Sequence, residues 1–76
     1  MARPLHTIAD EIRSNWGVKV NYAAKPYLEA MRDLNGVDDT YGLDSAKSIV
    51  RYFLANAGSW RGDVARRVKA ELRSMV

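Results

Sequence analysis

Basic residues in the last third of the chain are the strongest chemical signal in this sequence. Residues 59–76 contain five cations and two carboxylates, an excess of +3 that equals the formal net charge of all 76 residues. At 100° per residue, Arg66, Lys69 and Arg73 fall on one narrow arc of a helix, opposite its apolar stripe. Such an arc can contact nucleic-acid phosphates, but an amphipathic helix also needs a solvated outer face. The arc makes these three residues candidate nucleic-acid contacts.

A helix, a glycine-containing turn and a basic second helix also occur in this order in the helix-turn-helix motif. With Gly58 at the turn, Phe53 and Ala57 fit the motif. Leu54 instead occupies a position that is normally small, and Arg67 one that is normally buried and apolar. The sequence therefore predicts a loose helix-turn-helix-like pair, and a small DNA-binding regulator is the alternative function.

A second candidate surface combines Tyr52, Trp60 and Arg61 around residues 58–62. Tyrosine, tryptophan and arginine are enriched where proteins meet. Trp60 either anchors a partner there or fills the core, and the residue pattern is compatible with both. This surface predicts a protein partner or self-association.

Glu71 lies on the same side of the last predicted helix as the apolar Val64 and Met75. A carboxylate at such a position indicates either a helix end that frays or a polar contact across a subunit boundary. Arg67 stands four residues earlier and can pair with it along the helix.

Catalytic and metal-binding chemistry has little support in the sequence. The single histidine, His6, lies opposite the predicted apolar face, and the chain has no cysteine to act as a nucleophile or zinc ligand. A calcium loop counted from Asp38 would place Gly42 and Ile49 where an oxygen ligand and a glutamate are needed. No phosphate-binding glycine motif is present. We therefore expect no enzyme, cofactor, metal or small-molecule substrate.

Glycine and proline divide the chain into four apolar-periodic segments, which predict helices over residues 4–16, 21–34, 45–57 and 60–75. The predicted core residues recur every three or four positions. They are Leu5, Ile8, Ile12, Trp16, Val20, Ala24, Leu28, Met31, Leu34, Ala46, Ile49, Val50, Phe53, Ala57, Trp60, Val64, Val68, Leu72 and Met75.

Helix boundaries follow from capping residues. Asp44 and Ser59 are the predicted N-caps of the third and fourth helices, and Gly62 falls inside the fourth. The second helix either begins near residues 23–25, with Pro26 in its first turn, or is kinked at Pro26.

The fold class that results is all-α: a compact bundle of four short helices, with helices 3 and 4 joined by a tight Gly-Ser turn, forming a single helical domain over residues 1–76. A composition of 47% hydrophobic and 28% charged residues is typical of a globular protein. No apolar run is long enough to span a membrane, and no signal peptide is evident. We therefore expect a cytoplasmic protein without a membrane partner.

Five strings distributed over nearly the whole chain carry a family resemblance. They are MARPLHTIADEIR (1–13), PYLEAM (26–31), YGLDS (41–45), IVRYFLANAG (49–58) and WRG (60–62). With these strings the chain resembles small proteins encoded by phages of actinobacteria, of the mycobacteriophage type. The resemblance implies an accessory factor that binds host proteins or acts on expression in the bacterial cytoplasm, and it assigns no site residues. The leading expectation is therefore a non-enzymatic protein that binds a host protein or a second copy of itself.

Overall fold

A computed structural model of the chain describes residues 3–36, 38–42 and 44–76, with the side chain of Val18 left out. In these residues four α-helices are present: α1 Leu5–Trp16, α2 Lys25–Met31, α3 Ala46–Ala55 and α4 Asp63–Met75. A 3₁₀ turn, Gly17–Lys19, follows α1, and two short strands, β1 Thr40–Tyr41 and β2 Asp44–Ser45, precede α3. Val37 lies outside the described residues, as do Met1 and Ala2 of the first string and Leu43 of the third.

The first helix has nearly the predicted bounds. Pro4 precedes it with an extended backbone, a position where its missing N–H costs no helical hydrogen bond. Gly17 ends the helix at φ +62°, a conformation that glycine adopts readily, and its N–H donates to the Arg13 carbonyl. The predicted apolar stripe of α1 is fully buried.

The second helix begins at Lys25, so Pro26 lies in its first turn and no kink is needed. Asn21 stabilises the turn that leads into this helix. Its side-chain oxygen accepts a hydrogen bond from the Ala23 N–H, and its backbone carbonyl accepts one from the Ala24 N–H. The helix ends at Met31, earlier than predicted. A turn continues the chain from there, so the apolar spacing persists beyond the helix.

The N-cap of the third helix is Ser45 and not Asp44. The Ser45 hydroxyl accepts from the Ser48 N–H at 3.1 Å, while Asp44 belongs to β2. The strands pair antiparallel, with Thr40 opposite Ser45 and Tyr41 opposite Asp44. Two-residue strands are too short to show an alternating pattern, so the all-α prediction missed this hairpin.

The fourth helix begins at Asp63, one turn later than predicted. Its N-cap is Gly62 at φ +111°, so Ser59 is not the cap and Gly62 is not inside the helix. Gly58 and Ser59 form a turn, but within a longer connection over residues 56–62. The prediction of a tight Gly-Ser turn is corrected accordingly.

The core lies where the four apolar stripes meet. All the predicted core residues are buried or packed against it; Val20, Val64 and Met75 are the partly buried ones. The other buried members are Ala9, Ala30 and Ala65, and Tyr27, Leu54 and Val76 are also partly buried against the core. The Cα radius of gyration is 11.0 Å, close to the value of about 11 Å expected for a compact chain of this length.

Replacing Ser45 with alanine should lower the free energy of unfolding by about 1 kcal/mol, because the Ser48 N–H loses its acceptor. Urea unfolding followed by circular dichroism measures this. The Asp44→Ala variant is the matched control and should stay within about 0.5 kcal/mol of wild type. A larger loss in the control than in Ser45→Ala would contradict the assignment of the cap.

Candidate nucleic-acid interface

Four cations surround a shallow depression beside the connection between α3 and α4. Arg61 comes from the connection, and Arg66, Lys69 and Arg73 come from successive turns of α4. The rest of its lining consists of Gly58, Trp60, Gly62 and Ala65. We call the four cations the basic face. The structure thus brings together the predicted nucleic-acid contacts and adds Arg61 to them.

Lys69 is the fixed centre of the basic face. Its Nζ donates to the Trp60 carbonyl at 2.6 Å and lies 5.9 Å from the centroid of the Trp60 ring. Burial lowers the pKa of Lys69, and the charges of Arg73 and Arg61 lower it further. An anion bound at this point would therefore relieve repulsion between the cations.

Trp60 positions this face from within the core. Its side chain is only 2% exposed, and its ring stacks on Trp16 with 5.6 Å between centroids. The rings of Trp60 and Phe53 meet edge to face with their centroids 6.4 Å apart, and the indole N–H donates to Asn15 Oδ1 at 2.8 Å. Of the two alternatives for Trp60, the residue therefore fills the core. It is not exposed for contact with a partner.

A separate group of charges, which lies on α1, on the residues just before it and on α4, is internally balanced. The Arg3 guanidinium donates to both oxygens of Glu71, at 3.0 and 2.6 Å. It also lies 2.8 Å from Glu11, whose other oxygen pairs with Arg67. We call these two arginines and two glutamates the ion cluster. Hydrogen bonds to the arginines lower the pKa of both glutamates.

The ion cluster corrects two expectations about Glu71. The residue lies within α4, which continues to Met75, and it pairs with Arg3 of the same chain, so it does not mark a frayed helix end. Arg67 pairs with Glu11 on α1 and not with Glu71 along the helix. Sequence spacing could not indicate these partners, because they lie 68 and 56 positions apart.

The basic face, in contrast, has little neutralising charge. Within residues 3–36, 38–42 and 44–76, its one ion pair joins Arg66 to Asp63 at 3.9 Å, and the Asp63 side chain is fully exposed. Four cations against this one carboxylate give an excess of +3, which equals the net charge of the chain. The two arginines and two glutamates of the ion cluster cancel each other's charge. The excess of positive charge is therefore concentrated on the basic face.

The pair α3–α4 departs from a helix-turn-helix at its connection. Residues 56–62 exceed the usual turn of about three or four residues. Asp63 opens α4, so a carboxylate stands where a recognition helix approaches the bases. Arg67, at a position normally buried in the motif, is exposed and paired with Glu11.

Tyr52 is separated from the other two members of its predicted surface. It does not line the depressions in which Trp60 and Arg61 lie. Its ring is 5.3 Å from that of Tyr27 on α2, and the side chain remains 49% exposed. We call Tyr27 and Tyr52 the tyrosine face.

The described residues contain no group of three or more histidine or acidic side chains placed to hold a metal ion. None of their helices is long and apolar enough to cross a membrane. His6 is exposed on the first turn of α1.

No family model, curated protein or solved structure matches this chain. Function is therefore inferred from the placement and charge of the side chains described above.

The Glu71→Gln substitution should weaken the pH dependence of stability. Because Arg3 lowers the pKa of folded Glu71, its contribution is present above the ordinary glutamate pKa and is lost as the pH falls through the lowered value. Wild-type unfolding free energy should therefore fall on acidification below about pH 5, and Glu71→Gln should reduce that fall. At neutral pH the variant should lose about 1 kcal/mol.

Urea unfolding between neutral pH and about pH 3 provides the measurement. Glu29→Gln serves as the control, since Glu29 is exposed and makes no ion pair with any residue that the structure describes. Identical pH profiles for the two variants would contradict a role of Glu71 in the ion cluster.

Proposed function

We propose that the protein is a non-enzymatic binding protein and that its basic face binds nucleic acid. The observation that carries this proposal is the separation of charge on α4. One side of the helix is balanced by the ion cluster. The other side presents Arg66, Lys69 and Arg73 with one carboxylate, and Arg61 of the preceding connection lies beside them. A protein surface that needed only solvation would gain nothing from crowding four like charges.

Phosphates are the anions that suit this arrangement. Lysine binds phosphate as a point charge, and arginine binds it through two parallel N–H groups. Lys69 is held in place by the Trp60 carbonyl before any ligand arrives, so little side-chain freedom is lost on binding there. The arginines around it are long and exposed, and they can adjust to neighbouring phosphates.

The two glutamates of the ion cluster are not suited to general acid catalysis. The hydrogen bonds from Arg3 and Arg67 favour the ionised forms of Glu11 and Glu71. General acid catalysis needs a carboxyl group whose pKa is raised toward the working pH. These two glutamates are shifted in the opposite direction, as expected for groups that stabilise a fold.

Replacing Arg66, Lys69 and Arg73 together with glutamine should abolish binding to nucleic acid, because three of the four phosphate contacts are removed. Fluorescence anisotropy with a labelled oligonucleotide at low salt measures the affinity. The wild-type affinity should fall steeply as salt is added.

The matched control replaces Arg32, Lys47 and Arg51 with glutamine. These residues are exposed, do not line the depression, and their loss changes the net charge by the same amount. The control should bind nearly as well as wild type. Equal losses in the two triple variants would show that net charge, and not the basic face, determines the affinity.

A second candidate function, binding to a protein, is favoured by the tyrosine face. Tyr52 is half exposed although its ring packs on Tyr27, and such amphipathic pairs are common at protein interfaces. The resemblance to small phage proteins of actinobacteria adds a setting for this proposal, the cytoplasm of a bacterial host. The partner is then a host protein or a second copy of the chain.

Binding through the tyrosine face should be lost in a Tyr52→Ser variant and kept in the basic-face triple variant. A pull-down from nuclease-treated actinobacterial lysate, together with sedimentation of the purified protein for self-association, tests this. The Tyr22→Ser variant is the control, because Tyr22 is 90% exposed and a single exposed tyrosine is unremarkable. A partner retained by Tyr52→Ser would exclude this face.

A further inference from the structure

We propose that the basic face binds duplex DNA through its backbone phosphates alone, without reading bases and without preferring single strands. This inference rests on the proposed binding of nucleic acid and specifies its mode. Three features of the face lead to it: the length of the basic stripe, the burial of its aromatic residue, and the charge at the beginning of α4.

The stripe on α4 matches a short stretch of duplex backbone. Arg66 and Arg73 are seven positions apart, which corresponds to about 10 Å along the helix axis. Duplex DNA rises about 3.4 Å per base pair, so the stripe spans roughly three base pairs. With Arg61 beside it, the face can contact up to about four phosphates.

Binding to single strands depends largely on aromatic side chains on which bases stack. The aromatic residue beside the basic face is Trp60, and its ring is enclosed between Trp16 and Phe53. The three large hydrophobic side chains that are exposed among the described residues are Tyr22, Tyr41 and Tyr52, and none of them lines the depression. The face therefore offers charge to a nucleic acid but no stacking platform.

Reading of bases is disfavoured by the first turn of α4. Recognition helices direct their N-terminal residues at base edges, between two rows of phosphates. Here that end presents the fully exposed Asp63 carboxylate, which phosphates repel. Lys69 cannot extend into a groove while its Nζ donates to the Trp60 carbonyl, so it acts on the backbone from a fixed position.

The experiment measures anisotropy with labelled duplexes of about 20 base pairs in two unrelated sequences and with one of their single strands. Salt is varied between about 50 and 200 mM. We expect the two duplexes to bind with affinities within about threefold of each other, and the single strand several-fold more weakly. The slope of log K against log salt should be about −3.6 for the duplex, as four phosphate contacts require.

Single substitutions test the number of contacts. Lys69→Gln and, separately, Arg73→Gln should each make the slope less negative by about 0.9 on both duplex sequences equally. If Lys69→Gln disturbs the packing of Trp60, Arg73→Gln still tests the number of contacts, because Arg73 is exposed. Lys47→Gln, on the exposed side of α3, should leave the slope unchanged.

The outcomes separate this inference from the proposed function. Equal or tighter binding of the single strand overturns the inference while nucleic-acid binding stands, and so does a difference between the duplexes that exceeds the expected limit of about threefold. Absence of binding to all three oligonucleotides at low salt overturns both. Binding of both duplexes with equal affinity and the expected slope supports both.

Discussion

The insertion of Trp60 into the core is the contact on which the rest of this structure depends. The indole is stacked on Trp16, meets Phe53 at its edge, and donates to Asn15 of α1. These contacts fix the connection between α3 and α4, and thus the point at which α4 can begin. The Trp60 carbonyl then holds Lys69, so the same residue joins the apolar interior to the charged surface.

The position of α4 against α1 also determines how charge is distributed around this helix. With the helix held against α1, Glu71 and Arg67 meet Arg3 and Glu11 and are neutralised. The cations on the other side have no such partners on α1 and gather around the depression. The net charge of the chain is mild, but it is concentrated on the basic face. In the proposed function this concentration is what a nucleic acid recognises, while the tyrosine face on α2 and α3 is a separate surface.

Much of the interior could be predicted from the sequence, because burial follows the helical period. The predicted stripes identified the core, and the three buried residues that they missed are alanines, which occur on either side of a helix surface. Helix ends were harder: Asp44 and Ser45 are equally good caps by residue type, and only the hairpin decides between them. The start of α4 was misplaced because Trp60 fits the spacing of the helix although it packs from the preceding connection.

For the candidate site, the sequence could indicate the arc of Arg66, Lys69 and Arg73 because it lies on one helix. It could not indicate that Arg61 joins the arc, that Trp60 is enclosed, or that Tyr52 stands apart with Tyr27, since these depend on how separate elements meet. The contact between Arg3 and Glu71 joins residues 68 positions apart, and Arg67 and Glu11 are 56 apart. Such distant pairs add to the chain entropy that must be lost before they form. Docking of α4 on α1 is therefore expected to come late in folding, later than the contact between Lys69 and Trp60, which are only nine positions apart.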